Sequence, residues 1–419
     1  MTRPRIVIIG GGFGGLAAAK ALRTTVADVT VIDRTNHHVF QPLLYQVATA
    51  ALAPSDIAAP IRWILRSQHN VSVMLGEVTG INCSRKYIEL KDREGRIEFD
   101  YLIVASGSRH AYFGHDDWEE LAPGLKTLED ATEIRRRFLL AYEKAELCED
   151  QQRRRALMTF VVVGGGPTGV ELAGAFPAIA QRALKKDFRN IDTAETRVIL
   201  IEGGERILPG FPPDLSRRAT QDLADLGVEV RTNSIVTEVE DDAVYIGTER
   251  IDVATTFWAA GNAASPLGRM LGAPIDRSGR VLVDKDLSVP GCNDVFVIGD
   301  LAYFEQDGRA VPGVAPAAMQ QGRHAARNII RSMKADETKP FRYLNKGDLA
   351  TIGRSRAIAD FGKFRMAGFP AWWLWLFLHI MYLVGFRNRM SVLLQWAYAY
   401  VTYERGVRLI TGSTSPVSR

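Results

Sequence analysis

Residues 5–22 read RIVIIGGGFGGLAAAKAL, and their reading decides the fold. Ile6 to Ile9 form a short apolar run suited to a strand buried on both faces. Gly10, Gly12 and Gly15 follow in GxGxxG spacing, and Leu16, Ala19 and Leu22 then recur at helical intervals. The next apolar run, VTVID, ends on Asp33, about twenty residues beyond the first glycine. Strand, glycine turn, helix and strand-end acid together describe a dinucleotide site. Gly10 permits the tight turn, Gly12 lets backbone approach a pyrophosphate, and Gly15 lets the helix pack on the strand. The helix N-terminus offers free N–H groups to phosphate, and Asp33 can accept hydrogen bonds from ribose hydroxyls.

The arrangement occurs twice. FVVVGGGPTGVELAGAF carries a strand at Val161 to Val163 and the glycines Gly164, Gly166 and Gly169. RVILIE ends on Glu202, whose carboxylate favours an unphosphorylated ribose because it would repel a 2′-phosphate. Arg206 lies close enough to soften that preference. The glycine-to-acid interval is longer than in the first copy, so an extended helix or an insertion is expected near KKDFRNIDTAET. Two dinucleotide sites in one chain suggest a flavin held by one and a nicotinamide presented by the other.

Composition narrows the field. The chain has 419 residues and a formal net charge of +4, with no long basic run in its body, so nucleic acid is not an expected partner. Cys83, Cys148 and Cys292 are scattered singly, which speaks against a redox disulfide and a metal site. A strand pattern starts almost at the first residue, so no signal or transit peptide is expected.

The two glycine motifs resemble those of the two-dinucleotide-binding-domain flavoproteins. DYLIVASGS (Asp100 to Ser108) is similar to that superfamily's exit from the flavin domain, and DVFVIGDLA (Asp294 to Ala302) to the return into it. TFWAAG (Thr256 to Gly261) looks like the exit from the nicotinamide domain. The resemblance implies an α/β fold of two Rossmann-like domains, the nicotinamide domain inserted in a discontinuous flavin domain, with a helical C-terminal region that associates with membranes. The expected boundaries are 1–120 and 273–335 for the FAD domain, 121–157 for a connecting helical segment, 158–272 for the NADH domain, and 336–419 for anchoring and dimerisation. It further implies cofactor contacts at Arg34, Gln46, Val78, Ser106, Gly107, Gly261 and Gly299, and a contact of Asp300 with the ribityl or pyrophosphate part of FAD.

Disulfide reductases and sulfide oxidoreductases need reactive cysteines, which the isolated ones here do not supply. HHVFQPLLYQVATAAL (His37 to Leu52) resembles a loop of the type II, non-proton-pumping NADH:quinone dehydrogenases. GPTGVELAG places Glu171 where that family has a glutamate near nicotinamide and flavin. GVAPAAMQQGRHAARNI (Gly313 to Ile329) is similar to its quinone-site helix, often AQxAxQ. Ala315, Ala318 and Gln320 match, but Pro316 replaces the first glutamine. GDLATIGRSRAIADFGKF (Gly347 to Phe364) resembles its C-terminal region, and its alternating apolar residues and glycines predict short strands and turns. The resemblance thus implies FAD as cofactor, NADH as substrate, Glu171 and Gln320 in catalytic roles, a homodimer, and no proton pumping. His37 and His38, beside the loop, are expected to be structural.

Residues 369–386, FPAWWLWLFLHIMYLVGF, hold no charge. A bilayer span takes about twenty apolar residues, and Pro370, His379 and Gly385 interrupt this run. A helix is expected from Ala371. In the next segment Leu393, Trp396, Ala397 and Tyr400 recur at i, i+3, i+4 and i+7, which predicts one apolar helix face. The tryptophans suit a membrane interface, and Lys363, Arg365, Arg387, Arg389, Arg405 and Arg408 could meet anionic headgroups. A module lying on the cytoplasmic face of the cell membrane is expected, where a bilayer-dissolved ubiquinone or menaquinone would be met. Two other readings stay open: a soluble NADH:acceptor reductase, and a flavin- and NADH-binding interaction protein whose redox state gates a partner. Neither needs the aromatic segment.

Overall fold

The computed structural model describes residues 3–402 and 406–411. Two compact units form, each from separate pieces of sequence. One takes the chain up to His38, then Ala58–Arg109 and Asn262–Lys346; the other takes Val39–Ile57, His110–Gly261 and the chain from Gly347 onward. The sequence placed the crossings near residues 120 and 273, whereas contacts place them at Arg109–His110 and Gly261–Asn262.

In the first unit Arg5–Ile9 lies inside a six-stranded sheet. The order is Ser288–Val289, Cys292–Val297, Tyr101–Val104, Arg5–Ile9, Asp28–Asp33, Val71–Leu75. All neighbours run parallel except the first pair. Successive side chains leave a strand on opposite faces, and both faces are covered. Ile6 and Ile8 pack with Leu16, Ala18, Ala325 and Ile329 of the two helices on one side. Val7 and Ile9 pack with Val78, Ile88 and Leu90 on the other. The unbroken apolar run follows from this double burial. The helices Phe13–Ala21 and Ala315–Ser332 touch backbone to backbone, since a Cβ on Gly322 would stand 2.2 Å from the carbonyl oxygen of Gly14. Cys83 and Cys292 are not apart but neighbours, and burial pushes the Cys83 thiol up to about 12, so Cys83 is not poised as a nucleophile.

The second unit holds a four-stranded parallel sheet ordered Val228–Arg231, Arg197–Ile201, Thr159–Val163, Thr255–Trp258. Phe138 of the Leu128–Leu147 helix stacks on Phe176, with centroids 4.5 Å apart, and meets Phe160 at 4.7 Å. The expected extension after the second glycine loop is real. The Pro167–Ala178 helix contains Pro177, continues as a π turn over Ile179–Ala183, and a 3-10 turn at Thr193–Glu195 precedes the next strand. Proline has no N–H to donate, so the widened turn beyond it is an expected response.

The same unit includes an antiparallel sheet of Asp348–Gly353, Arg356–Asp360 and Arg365–Ala367, then the helices Phe369–Tyr382 and Phe386–Thr402. The first of these starts before Ala371, because Pro370 sits in its first turn, where the missing N–H costs nothing. The expected apolar face of the second lies mostly outward. Leu393, Ala397 and Tyr400 are exposed, and Val392, Gln395, Trp396 and Ala399 face inward. No helix among the described residues is long and apolar enough to cross a membrane. Arg405 lies outside the described residues.

The glycine contact gives a stability test. Alanine normally favours a helix over glycine by about 1 kcal/mol, but overpacking costs about 1–3 kcal/mol. With a Cβ 2.2 Å from a backbone oxygen, the clash dominates. Gly322→Ala is expected to lower the melting temperature by several degrees, measured by calorimetry. An unchanged or raised value would show that the helices separate freely.

Candidate dinucleotide sites and the C-terminal docking face

Both glycine turns are shaped by crowding. Gly10 has φ +103° and a Cβ there would lie 2.3 Å from Ala105 O; Gly164 has φ +110° and its Cβ would lie 2.6 Å from the backbone of Ala259. Side chains at Gly15 and Gly169 would strike the carbonyls of Gly10 and Gly164 at 1.8 and 1.9 Å. Gly12 and Gly166 have nothing within 4 Å of a Cβ, which leaves each helix N-terminus open to a phosphate.

The strand-end acids repeat each other as well. Asp33 accepts a hydrogen bond from Gly11 N at 2.6 Å and from Thr35 N at 2.7 Å. Glu202 accepts from Gly165 N at 2.6 Å and from Gly204 N at 2.7 Å. Each carboxylate therefore closes its own glycine turn. Arg206, near Glu202, donates through Nη2 to Pro209 O at 3.0 Å. Its guanidinium is thus partly committed to the chain.

Around the first turn the other expected residues take definite places. Asp300 accepts from Ser108 Oγ at 2.9 Å, and the N–H of Gly299 donates to Gln321 Oε1 at 2.6 Å. Gly107 O accepts from Ser265 N, Val78 is buried under the sheet, and Arg34 is exposed. Ser106 Oγ is buried with no hydrogen-bond partner among the described residues. An orphaned hydroxyl, an open helix start and a fixed carboxylate fit a pyrophosphate-bridged dinucleotide such as FAD. His38 is structural, its Nδ1 donating to Gly11 O at 3.1 Å, and burial lowers it to about 4, so it is neutral. In the second unit, Gly261 is closed off by the ring of Phe113.

Glu171 sits one turn inside the Pro167–Ala178 helix. That helix lies flat on the strand Asp348–Gly353, since a Cβ at Gly174 would be 1.7 Å from Ile352 O. Burial pushes the carboxyl up to about 8, and the N–H of Thr351 pulls the other way without cancelling it. The acid therefore holds its proton at neutral pH.

Two glutamines named from the sequence have their amides engaged within the chain. Gln320 spends its amide on the chain, donating to Leu344 O and accepting from Leu344 N, each at 3.0 Å. Gln46 accepts from Trp396 Nε1 at 2.6 Å and donates to Tyr45 Oη at 3.0 Å. Sequence reasoning passed over Gln321, although it occupies the middle of the buried face Ala317, Ala318, Gln321, Gly322, Ala325. A polar residue at an apolar-period position was the available signal. Ser108 and Thr351 were also missed, because their partners are distant in sequence.

At the C-terminus, Phe369, Trp373, Phe377 and Met381 form an exposed stripe at four-residue intervals, continued by Phe386, Met390, Leu393, Leu394, Tyr398 and Val401. Trp375 is instead core, stacked on His379 at 4.2 Å and against Trp396 at 5.6 Å. Of the basic residues expected to face headgroups, Arg365 pairs with Asp214, Arg408 with Asp187, and Arg389 donates to Leu383 O. Lys363 and Arg387 stay exposed.

Residues 4–322 match the pyridine nucleotide-disulphide oxidoreductase family, and residues 345–402 match the NDH2 C-terminal domain. The chain is 46% identical to a type II NADH:quinone oxidoreductase of Mycobacterium tuberculosis, over 98% of this chain and 90% of that one. It is 31% identical to an internal alternative NAD(P)H-ubiquinone oxidoreductase of Arabidopsis thaliana, over 95% of this chain and 84% of that one. Among solved structures, NDH2 of Plasmodium falciparum in complex with NADH superposes with a TM-score of 0.88 at 21% identity, covering 97% of this chain and all of that one. The sulfide:quinone oxidoreductase of Aquifex aeolicus shares the fold at 0.73. The chain belongs to the type II NADH:quinone oxidoreductases, within the pyridine nucleotide-disulphide oxidoreductase class.

Two measurements follow from these sites. Glu202→Gln with a nearby lysine or arginine added is expected to shift the NADPH-to-NADH ratio of kcat/KM upward by about tenfold, or about 1.4 kcal/mol. Equal use of both nucleotides by the parent would remove Glu202 from that role. For Glu171, the unfolded carboxyl titrates near its ordinary 4.5 and the folded one near 8. Between those values the folded state binds more protons, so stability falls as pH rises through the window. Melting temperatures at pH 6 and pH 9 should therefore differ more in the parent than in Glu171→Gln, by a few degrees. Equal differences would mean the carboxyl is not buried.

Proposed function

We propose that this chain oxidises NADH and delivers two electrons, by way of FAD, to a membrane quinone without pumping protons. The observation that carries the reading is that one chain of this family holds two glycine turns, each closed by its own strand-end carboxylate. When bound, FAD would supply the two-electron chemistry, accepting a hydride and passing electrons on. The first site would hold it by the helix N-terminus after Gly12, by Asp33 toward ribose, and by Asp300 and Ser106. The second site holds NADH in the same way, with Glu202 rejecting a 2′-phosphate. Glu171, neutral at working pH, is the group available to orient the nicotinamide or to hold a proton near it. Gln320, although tied to Leu344, remains the quinone-side candidate that the family's helix motif singles out.

The quinone is met at a bilayer. The Phe369–Tyr382 helix has 14 residues, roughly 21 Å, against a hydrocarbon thickness of about 30 Å. It is suited to lie on the surface with its exposed aromatic stripe down. Lys363 and Arg387 flank the stripe and can meet anionic headgroups. NADH is made in the cytoplasm, so the module docks on that leaflet, and a homodimer would present two such faces.

Purified protein is expected to show a flavin spectrum and to oxidise NADH far faster when a short-chain quinone is added; absence of either would sink the proposal. Trp373→Ser combined with Phe377→Ser and Met381→Ser targets exposed residues only. This variant should no longer float with anionic vesicles, yet keep its melting temperature and its ferricyanide activity. A variant that floats as before would place the membrane contact elsewhere.

A further inference from the structure

The Phe386–Thr402 helix is amphipathic in reverse. Met390, Leu393, Leu394, Tyr398 and Val401 are exposed, while Ser391, Gln395 and the indole of Trp396 turn inward beside the buried Val392. Left to itself, such a helix would roll to hide its apolar side. Specific bonds oppose that roll. Asp56 is only 8% exposed. Its carboxylate accepts from Ala53 N at 2.8 Å, from Ser391 Oγ at 2.9 Å and from Gln395 Nε2 at 3.0 Å. Asn388 donates to Ser55 O at 3.3 Å, and Trp396 to Gln46. Four donors spaced i, i+3, i+7 and i+8 on one helix thus meet acceptors drawn from one short stretch, residues 46–56. Burying a carboxylate is costly unless its lone pairs are used, and charge-assisted bonds of this kind are stronger than neutral ones.

We infer that Asp56 is a positioning residue for the quinone reaction, setting the roll of this helix so that its apolar side meets the bilayer and Trp396 does not. The inference rests on the membrane reading above. Asp56 reaches the reaction through this helix, its bond from Ala53 N holding only its own turn, so loss of the helix bonds, which Gln395→Ala removes without touching that turn, separates the two kinds of electron acceptor.

The test uses full-length Asp56→Ala and Gln395→Ala, one from each side of the same bond, with their double variant. The vesicles are phosphatidylcholine and phosphatidylglycerol carrying long-chain ubiquinone. KM for the vesicle quinone should rise by about fivefold or more, and ferricyanide turnover should stay within about twofold of the parent. Amide exchange over 386–402 should quicken by about tenfold, while the Arg5–Ile9 and Thr159–Val163 strands keep their protection. The double variant should be no worse than either single one, and Asp56→Asn, which keeps one acceptor, should recover part of the loss. Unchanged exchange and an unchanged quinone KM in Asp56→Ala would overturn the inference, as would equal losses with both acceptors. If Asp56→Ala does not fold, Gln395→Ala carries the comparison. Should the parent neither float nor reduce vesicle quinone, the membrane reading is what fails, and the exchange rates alone then decide whether Asp56 holds the helix.

Discussion

A strand-end carboxylate accepting a hydrogen bond from a backbone N–H inside the glycine turn is the contact on which the rest of the molecule depends. It occurs at Asp33 with Gly11 and again at Glu202 with Gly165, both at 2.6 Å. The partners are 22 residues apart in the first case and 37 in the second. Equal geometry from unequal connectors means that the turn itself, not the intervening chain, sets the distance. The bond fixes the turn, the turn aims the helix start, and an aimed helix start is what makes a phosphate site. Asp33 also accepts from Thr35 N and Thr35 Oγ1, which uses three of the about four lone-pair sites a carboxylate offers.

Residues whose work is local were legible in the sequence. The glycines, Asp33 and Glu202 act within one strand–turn–helix unit, and their spacing reports the geometry directly. Residues whose work depends on a distant partner were not. Nothing near Glu171 reveals that Thr351 will lie against it, and Gln320 gives no sign of Leu344. Arg365 and Arg408 read as free cations until Asp214 and Asp187 come beside them. The apolar face of the Phe386–Thr402 helix is a mixed case. Hydrophobic period locates a stripe but does not say what covers it. Leu393, Ala397 and Tyr400 of that stripe point outward while Trp396 turns inward, because its indole bonds to Gln46.

The run WWLW at 372–375 shows how finely one composition is divided. Trp375 is stacked in the interior and Trp373 is 53% exposed, though only Leu374 separates them. A helix advances about 100° per residue, so neighbours in such a run necessarily face different surroundings. The strand that buries Glu171 belongs to the sheet from which these helices emerge. The acid's proton affinity and the placement of the aromatic helices thus draw on the same small sheet.

The bond between Ser391 and Asp56 joins residues 335 apart in sequence. During synthesis the acceptor is made long before its donors, at a chain elongation of about 5–20 residues per second. The acceptor therefore waits some tens of seconds, time enough for the parallel sheets between them to form. The Phe386–Thr402 helix, with its exposed apolar side, emerges after the stretch that receives its polar side has been made, and the interval in which it could adhere to another nascent chain is kept short.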